Sequence, residues 1–425
     1  YENDKPIQSS HYLKWNTNGA KENELVFVSG HPGSTNRLQT ISQLENQRDF
    51  ILSYRLKTFK RRVELLKKYS SLGEEQKRRA MAQILGIENA LKVFTGELSG
   101  LIDKNLMTKK MQEEKTLQEK VNTNPEWKKE YGWAWDSIAT AVKRSQTMFI
   151  KSNYRGVSGR LATTAINIVR YVNEIKKPNG ERLPQYQDAN LASTNMQLYS
   201  PAPIYPDLEE LQLADRIKEA SENLGNDDNY VKILLDGKTP EAQAKELVSG
   251  TKLADPSFRK TLVEGGIDAV NKSTDPMIIL ARKLVPYGDE MREWMEKNVN
   301  SVITSASEKI AKARFAVYGK NLYPDANFTL RLSYGTVKGY PMNGTKAPVI
   351  TTMYGLYDRA ISFGYQGDFG LPKRFTDNIN KLSLATPMNF ITTNDIIGGN
   401  SGSPVINANG EVVGLVFDGN IESLP

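Results

Sequence analysis

The period of the apolar pattern changes twice along this chain, and that change constrains the fold more than any single residue does. Residues 25–30, LVFVSG, form an apolar run closed by HPGSTN, which reads as a strand entering a turn. From about Leu38 the pattern turns helical, with Ile41, Leu44, Phe50, Leu52, Leu56, Phe59, Val63 and Leu66 at helical spacings. A second helix is predicted from about Glu74 to Leu98, its start SSLGEEQ supplying a serine and acidic residues for the first turn. Further helical stretches run to about residue 175. Residues 177–206, with KPNGERLPQ and SPAPIYP, are too rich in Pro and Gly for a helix and are expected to be a loop. A helix restarts at YPDLEELQLADRIKEASENLG, where Pro206 and Asp207 suit the first turn, and short helices continue to about Lys312. The pattern then becomes β: NFTLRLSYGTVKGY, VITTMYG and GEVVGLVF alternate apolar and polar residues. Asn409-Gly410 marks a tight turn between SPVIN and EVVGLVF. The layout is a fragment of β structure, a helical block of roughly 270 residues, then a β domain. Neither junction carries a flexible linker, so the block reads as a helical domain inserted into a β protein.

Composition narrows the chemistry. The 425 residues contain no cysteine, which excludes disulfides, cysteine nucleophiles and thiolate metal sites. The absence of cysteine fits a reducing cytosol and equally a bacterial periplasm. The two histidines, His11 and His31, lie far from any acidic cluster, so no metal site is expected. No run of about 18 apolar residues occurs, so no membrane-spanning helix is expected. The start does not read as a signal peptide; a chain from Tyr1 to Pro425 without an initial Met fits a mature or cut product. Net charge is +7 (56 basic, 49 acidic), and the excess is local: residues 55–79 hold ten basic and three acidic side chains. Such a run can bind nucleic acid or an anionic surface, but the plainer reading is the solvated face of a long helix. No zinc-finger spacing or aromatic-rich RNA-binding motif supports a nucleic-acid role.

The string IIGGNSGSPVINANGEVVGLVFDGN, residues 396–420, carries the clearest chemistry. Acyl transfer by serine needs an exposed hydroxyl, a base for its proton, and donors for the developing oxyanion. Gly399 and Gly402 let the backbone turn tightly around Ser401, and the N–H groups of Gly399 and Ser401 can then form an oxyanion hole. The residue after Gly402 is Ser403, not Gly, and a hairpin rather than a helix follows, so this is not the G-x-S-x-G elbow of α/β-hydrolases. The plain alternative is a Gly-Ser turn between strands. The whole string followed by a hairpin favours a nucleophile instead.

TNDIIGGNSGSPVINANGEVVGLVFDGN and FVSGHPGSTNR, joined by a large helical insertion, closely resemble the bacterial dipeptidyl-peptidase 7 and 11 family over essentially the whole chain. The resemblance implies a mixed fold: a chymotrypsin-like double β-barrel, here incomplete, with a large inserted α-helical domain. Residues 1–37 would end the first barrel, 38–310 form the insertion, and 311–425 form the second barrel, truncated. It implies a serine exopeptidase that releases dipeptides from oligopeptides with a free amino terminus. Ser401 matches the nucleophile, and the N–H groups of Gly399 and Ser401 the oxyanion hole. Asp418 and Asn89, the latter in IENALKVFTG, match residues that hold the substrate amine. The plain readings are a turn cap for Asp418 and an exposed helix asparagine for Asn89. Gly419 matches the position that sorts subfamilies: arginine accompanies acidic penultimate substrate residues, glycine hydrophobic ones. Physically, an arginine pairs with a carboxylate, whereas glycine leaves an open apolar pocket. A homodimer in the periplasm of a Gram-negative bacterium, or associated with its surface, and no cofactor are also implied.

This chain departs from that pattern. The family's catalytic histidine string is absent, His31 matches a turn motif, His11 matches nothing catalytic, and Asp4 is an aspartate candidate on numerical grounds only. The chain therefore resembles the carboxyl-terminal part of such an enzyme, with one triad member of three. Two other readings fit the same residues. One is a chymotrypsin-fold endopeptidase, which the insertion disfavours. The other is a degenerate peptidase used as a binding scaffold.

Overall fold

A computed structural model describes residues 2, 4–320 and 323–423. The chain divides into two compact units, Tyr1–Gln39 with Tyr323–Leu424, and a helical unit from Thr40 to Leu322.

The first unit is built on a four-stranded antiparallel sheet. Its strands come from both ends of the chain: β1 (Leu25–Gly30), β2 (Arg331–Thr336), β7 (Pro404–Asn407) and β8 (Val412–Leu415), in the order β2-β1-β7-β8. Between β2 and β7 lie two short ladders, β3 (Pro341–Met342) with β4 (Thr345–Lys346), and β5 (Ile350–Thr352) with β6 (Pro387–Phe390). β1 pairs with β2 through Val26↔Gly335 and Val28↔Ser333, and with β7 through Val26↔Asn407 and Val28↔Val405. Because side chains alternate across a strand, Val26 and Val28 face one side, where they meet Val337, Val405 and Val413 in a small buried cluster. The other face carries Phe27 opposite Tyr334, with Leu332 and Tyr334 open to solvent. The expected hairpin forms as its turn chemistry dictates: Gly410 takes φ +75° and donates to the Asn407 carbonyl at 3.0 Å. The buried Asn407 side chain accepts from the N–H groups of Asn409 and Glu411.

Two differences from expectation bear on the site. Residues 25–30 share a sheet with the carboxyl-terminal strands, where the sequence placed 1–37 and 311–425 in separate barrels. Among the described residues the strands close no barrel. The pairing that decides this joins strands hundreds of residues apart, which no local pattern reveals.

The helical unit owes its starts to caps. Asn124, Asp255 and Asp275 each bond a first-turn N–H, and each precedes a proline at the first helical position; Thr239 does the same before Pro240. The helix Arg160–Glu174 starts at Gly159 and has no such side chain. The buried Glu209 caps it instead, accepting from the N–H groups of Arg160 and Leu161 at 2.9 and 2.8 Å. Gly159, at φ +93°, leaves the room, since a Cβ there would lie 2.7 Å from a Glu209 oxygen. Amphipathic stripes then pack into one large core that includes Leu161, Ile168, Leu213, Ile217, Leu247 and Ile278. The expected loop at 177–206 contains a helix, Asp188–Leu198, and the final helix runs to Tyr318. Much of the basic run is matched within this unit: Arg61 bridges Asp215 and Glu222, Arg79 reaches Asp207, and Lys67 reaches Glu88. Among the described residues no helix is long and apolar enough to cross a membrane.

Candidate active site

Ser401 is exposed at the tip of a loop that enters β7. Two successive turns shape the loop. Asn400 N–H donates to Ile397 O at 3.1 Å, and Ser403 N–H to Asn400 O at 2.9 Å. The Asn400 side chain is buried and its Nδ2 also donates to Ile397 O. On the far side Gly402 N–H donates to Val416 O at 2.7 Å, and Val416 N–H returns to Ser403 O at 2.9 Å. Gly399 and Gly402 take φ +108° and +83°, a region that side-chain-bearing residues rarely adopt. Among the described residues, neither the Gly399 N–H nor the Ser401 N–H donates to a protein acceptor, and the Ser401 hydroxyl has no protein partner.

The loop rests on the turn after β1. Gly33 N–H donates to Gly398 O at 2.7 Å. A Cβ on Gly399 would lie 2.4 Å from His31 O, and one on Gly33 2.6 Å from Gly398 O. At Gly30 a Cβ would strike the Ser403 and Asn400 side chains. The string SGHPG is thus a backing for the Ser401 loop, with glycine at 33 where two backbones meet and at 30 where the Ser403 and Asn400 side chains pack. Sequence reasoning identified the string as a turn but missed that use. The recurrence of glycine in both strings was the available signal.

The stem of the loop is held from two sides. Asp395 N–H donates to Ser333 Oγ at 2.9 Å, and Asn394 Nδ2 to Ser333 O at 3.1 Å. Gly335 lets this segment lie close, because a Cβ there would sit 2.6 Å from Asn394 N. On the other side the Arg37 guanidinium makes a paired fork with Asp395, at 2.7 and 2.6 Å. That fork holds the Asp395 carboxyl below its ordinary range and raises the Arg37 value. Asp325 in turn accepts from Thr35 Oγ1, Arg37 N–H and Leu38 N–H. Arg37, Asp325 and Asp395 carried no sequence signal, because the contacts join three distant segments.

The other sequence candidates are less engaged. Asp418 is exposed and its carboxylate accepts only from the following N–H of Gly419, at 2.8 Å, among the described residues. Gly419 is exposed, and a Cβ there would meet Ser423 Oγ at 3.5 Å, an ordinary contact. Asn89 is exposed on the helix Glu74–Ile102 of the helical unit. Each histidine engages one ring nitrogen away from Ser401: His31 Nδ1 lies 3.1 Å from Phe328 O, and His11 Nδ1 2.8 Å from Ser10 Oγ. Asp4 is exposed in a turn at φ +60°. Among the described residues no group of three or more acidic or histidine side chains could hold a metal ion.

A glycine-lined loop on the antiparallel sheet thus presents an exposed serine beside two N–H groups that have no protein acceptor among the described residues. The model of the family described as Peptidase S46 matches residues 1–425, and the chain belongs to that family. A dipeptidyl-peptidase 7 of Capnocytophaga gingivalis is 25% identical over 99% of this chain and 60% of its own length. An Asp/Glu-specific dipeptidyl-peptidase of Shewanella putrefaciens is 27% identical over 99% of this chain and 62% of its own length. The chain thus spans about three-fifths of the length of these curated relatives. Among solved structures, DPP11 of Porphyromonas endodontalis in complex with the dipeptide Arg-Glu superposes with a TM-score of 0.74 at 20% identity. That likeness covers 100% of this chain and 62% of the other, and it is one of fold.

Proposed function

We propose that the protein carrying this chain is a serine dipeptidyl-peptidase that releases dipeptides from free amino termini through an acyl-enzyme on Ser401. The observation that carries this reading is the nucleophile loop of a Peptidase S46 member: an exposed serine hydroxyl with the Gly399 and Ser401 N–H groups unengaged beside it among the described residues. Donors held in place before the reaction stabilise an oxyanion without reorganising, which is the largest single term in many acyl transfers. The open sheet and ladders are read as part of a chymotrypsin-like barrel, residues 1–37 and 311–425, with 38–310 as its helical insertion. Strand β1 would then belong with the second barrel.

In this reading Asp418 and Asn89 bind the substrate ammonium. Asp418 supports it by being exposed, with its carboxylate bonded only to its own neighbour among the described residues. Gly419 supplies no cation, which favours a hydrophobic penultimate substrate residue. The names of the relatives divide on this point, one being Asp/Glu-specific and the other a dipeptidyl-peptidase 7. A periplasmic homodimer is part of the same proposal. Neither His11 nor His31 bonds the Ser401 hydroxyl among the described residues, their Nδ1 atoms lying against Ser10 and the Phe328 carbonyl, so this reading takes the general base from residues beyond this chain.

The test is labelling by a serine-directed phosphonate in the full-length protein, together with release of dipeptides from free and blocked peptides. Labelling mapped to Ser401 and turnover confined to free amino termini are expected. Equal turnover of blocked peptides would favour an endopeptidase, and no labelling at Ser401 would remove the nucleophile.

A further inference from the structure

We propose that Arg37 is a positioning residue for the nucleophile loop, acting through its paired contact with Asp395. The inference rests on the reading of Ser401 as nucleophile and goes beyond it, because nothing in the Gly-Asn-Ser-Gly string points to an arginine so far away in sequence.

The guanidinium projects from an anchored backbone. Asp325 accepts the N–H groups of Arg37 and Leu38 at 2.9 and 3.2 Å and the Thr35 hydroxyl at 2.6 Å. Asp325 is itself fixed, since Arg331 donates to Asp325 O at 2.6 Å and to Pro324 O at 3.0 Å. From this base Arg37 reaches the Asp395 carboxylate with both terminal nitrogens, a planar fork that fixes direction as well as distance.

The path to the serine is short. Asp395 stands two residues before Ile397, whose carbonyl accepts both the N–H and the Nδ2 of Asn400. Asn400 is buried and immediately precedes Ser401. The Asp395 backbone is tied to Ser333 on β2, so one side of the stem is held by the sheet and the other by Arg37. Without the fork the stem keeps its backbone bond but loses its lateral restraint. The two N–H groups of the oxyanion site sit at the end of that lever.

The pair is nearly half exposed, at 45% and 44%. Exposed bridges contribute little to stability. A role confined to stability would therefore leave almost no trace, whereas a positioning role would appear in the chemical step. The two are separable by experiment.

In the full-length protein, Arg37→Met and Asp395→Asn are each expected to lower kcat about ten- to a hundredfold, as small misplacements of reacting groups do. KM and Tm should stay near wild type, and the rate of phosphonate labelling at Ser401 should fall in parallel with kcat. Arg37→Lys keeps the charge but not the fork and should recover part of the loss. Arg37→Met/Asp395→Asn should be no worse than the poorer single variant, because both remove one contact. Unchanged kcat in the single variants, or losses that multiply in the double variant, would overturn the proposal. So would a fall in kcat matched by a fall in Tm. Failure of the wild-type protein to label at Ser401 is a separate result: it removes the nucleophile reading and this proposal with it. Wild-type labelling with indifferent variants removes only the role of Arg37.

Discussion

The loop around Ser401 and the segment around Asp418 lie on either side of one hairpin, yet they are held very differently. The loop is over-determined. Its two turns, its bonds to Val416, its contact with the turn at Gly33 and its stem on Ser333 leave few ways to move. Asp418 bonds only the next N–H among the described residues, and a Cβ at Gly419 would meet only Ser423 Oγ, at an ordinary distance, among them. Groups that do chemistry benefit from being placed before the substrate arrives. Groups that recognise a charged terminus need unspent hydrogen-bonding capacity, and an exposed carboxylate keeps it. The contrast predicts that damage to the loop acts on the chemical step, while damage at 418 and 419 acts on which substrates are used.

The largest effect tests the centre of the loop. Ser401→Ala removes one exposed oxygen and no structural bond, so the fold should persist while dipeptide release by the full-length protein disappears. Unaltered thermal unfolding together with absent turnover is expected. Retained turnover would place the nucleophile elsewhere.

The next effect separates crowding from backbone strain. Gly399→Ala places a Cβ 2.4 Å from His31 O, a backbone atom that cannot swing away, at φ +108°. Gly402→Ala meets nothing within 4 Å and bears only the strain of φ +83°. That strain costs about 1–2 kcal/mol. Gly399→Ala should therefore lower kcat by about a hundredfold or more, and Gly402→Ala by much less. Similar losses in both would mean that the contact with the His31–Gly33 turn is not what fixes the loop.

These contacts also show where the sequence was readable. The hairpin was legible because Asn409-Gly410 encodes its turn locally, and the strand at 25–30 because β-branched residues precede Pro-Gly. The helix Asp188–Leu198 was hidden by the prolines around it, and among its residues only Leu198 is buried, so it has no strong apolar stripe to read. VITTMYG alternates like a strand, but only Ile350–Thr352 is one; Met353 begins a helix to Ser362. The glycines flanking Ser401 announced themselves, since the positive φ values at 399 and 402 favour glycine. The support at Gly30, Gly33, Arg37 and Asp325 did not, because each acts across a long stretch of chain. Sequence displays the parts whose chemistry is local, and the bracing comes from the tertiary fold.

A smaller effect is expected at Asp418. Its carboxylate is exposed, and a charge-assisted bond to an ammonium is worth about 1.5–3 kcal/mol. Asp418→Ala should lower kcat/KM for free-amine substrates by roughly ten- to a hundredfold and narrow the gap between free and blocked peptides. Asp418→Asn, which keeps the acceptor oxygen that Gly419 N–H uses, separates the charge from the turn. If Asn restores full activity, the residue serves the turn and not the substrate.

The smallest expected effect is a change of preference rather than of rate, and it falls on Gly419. A hydrophobic penultimate side chain gains about 25 cal/mol per Å² of apolar surface buried. A carboxylate in the same place would lose hydration with no partner from this position, which costs more than burial returns. The full-length protein should therefore favour Leu or Phe over Asp at that substrate position, measured as a ratio of kcat/KM. Gly419 does not have a positive φ, and a Cβ there meets Ser423 Oγ at an ordinary 3.5 Å, so the backbone accepts a larger residue. Gly419→Arg is then a fair test rather than a folding test. It should shift the ratio toward Asp and Glu, by about tenfold if the guanidinium pairs with the substrate carboxylate. A wild-type profile that already favours Asp would show that the acid is met by a cation other than residue 419. It would leave the braced loop untouched while overturning the reading of its lightly held neighbour.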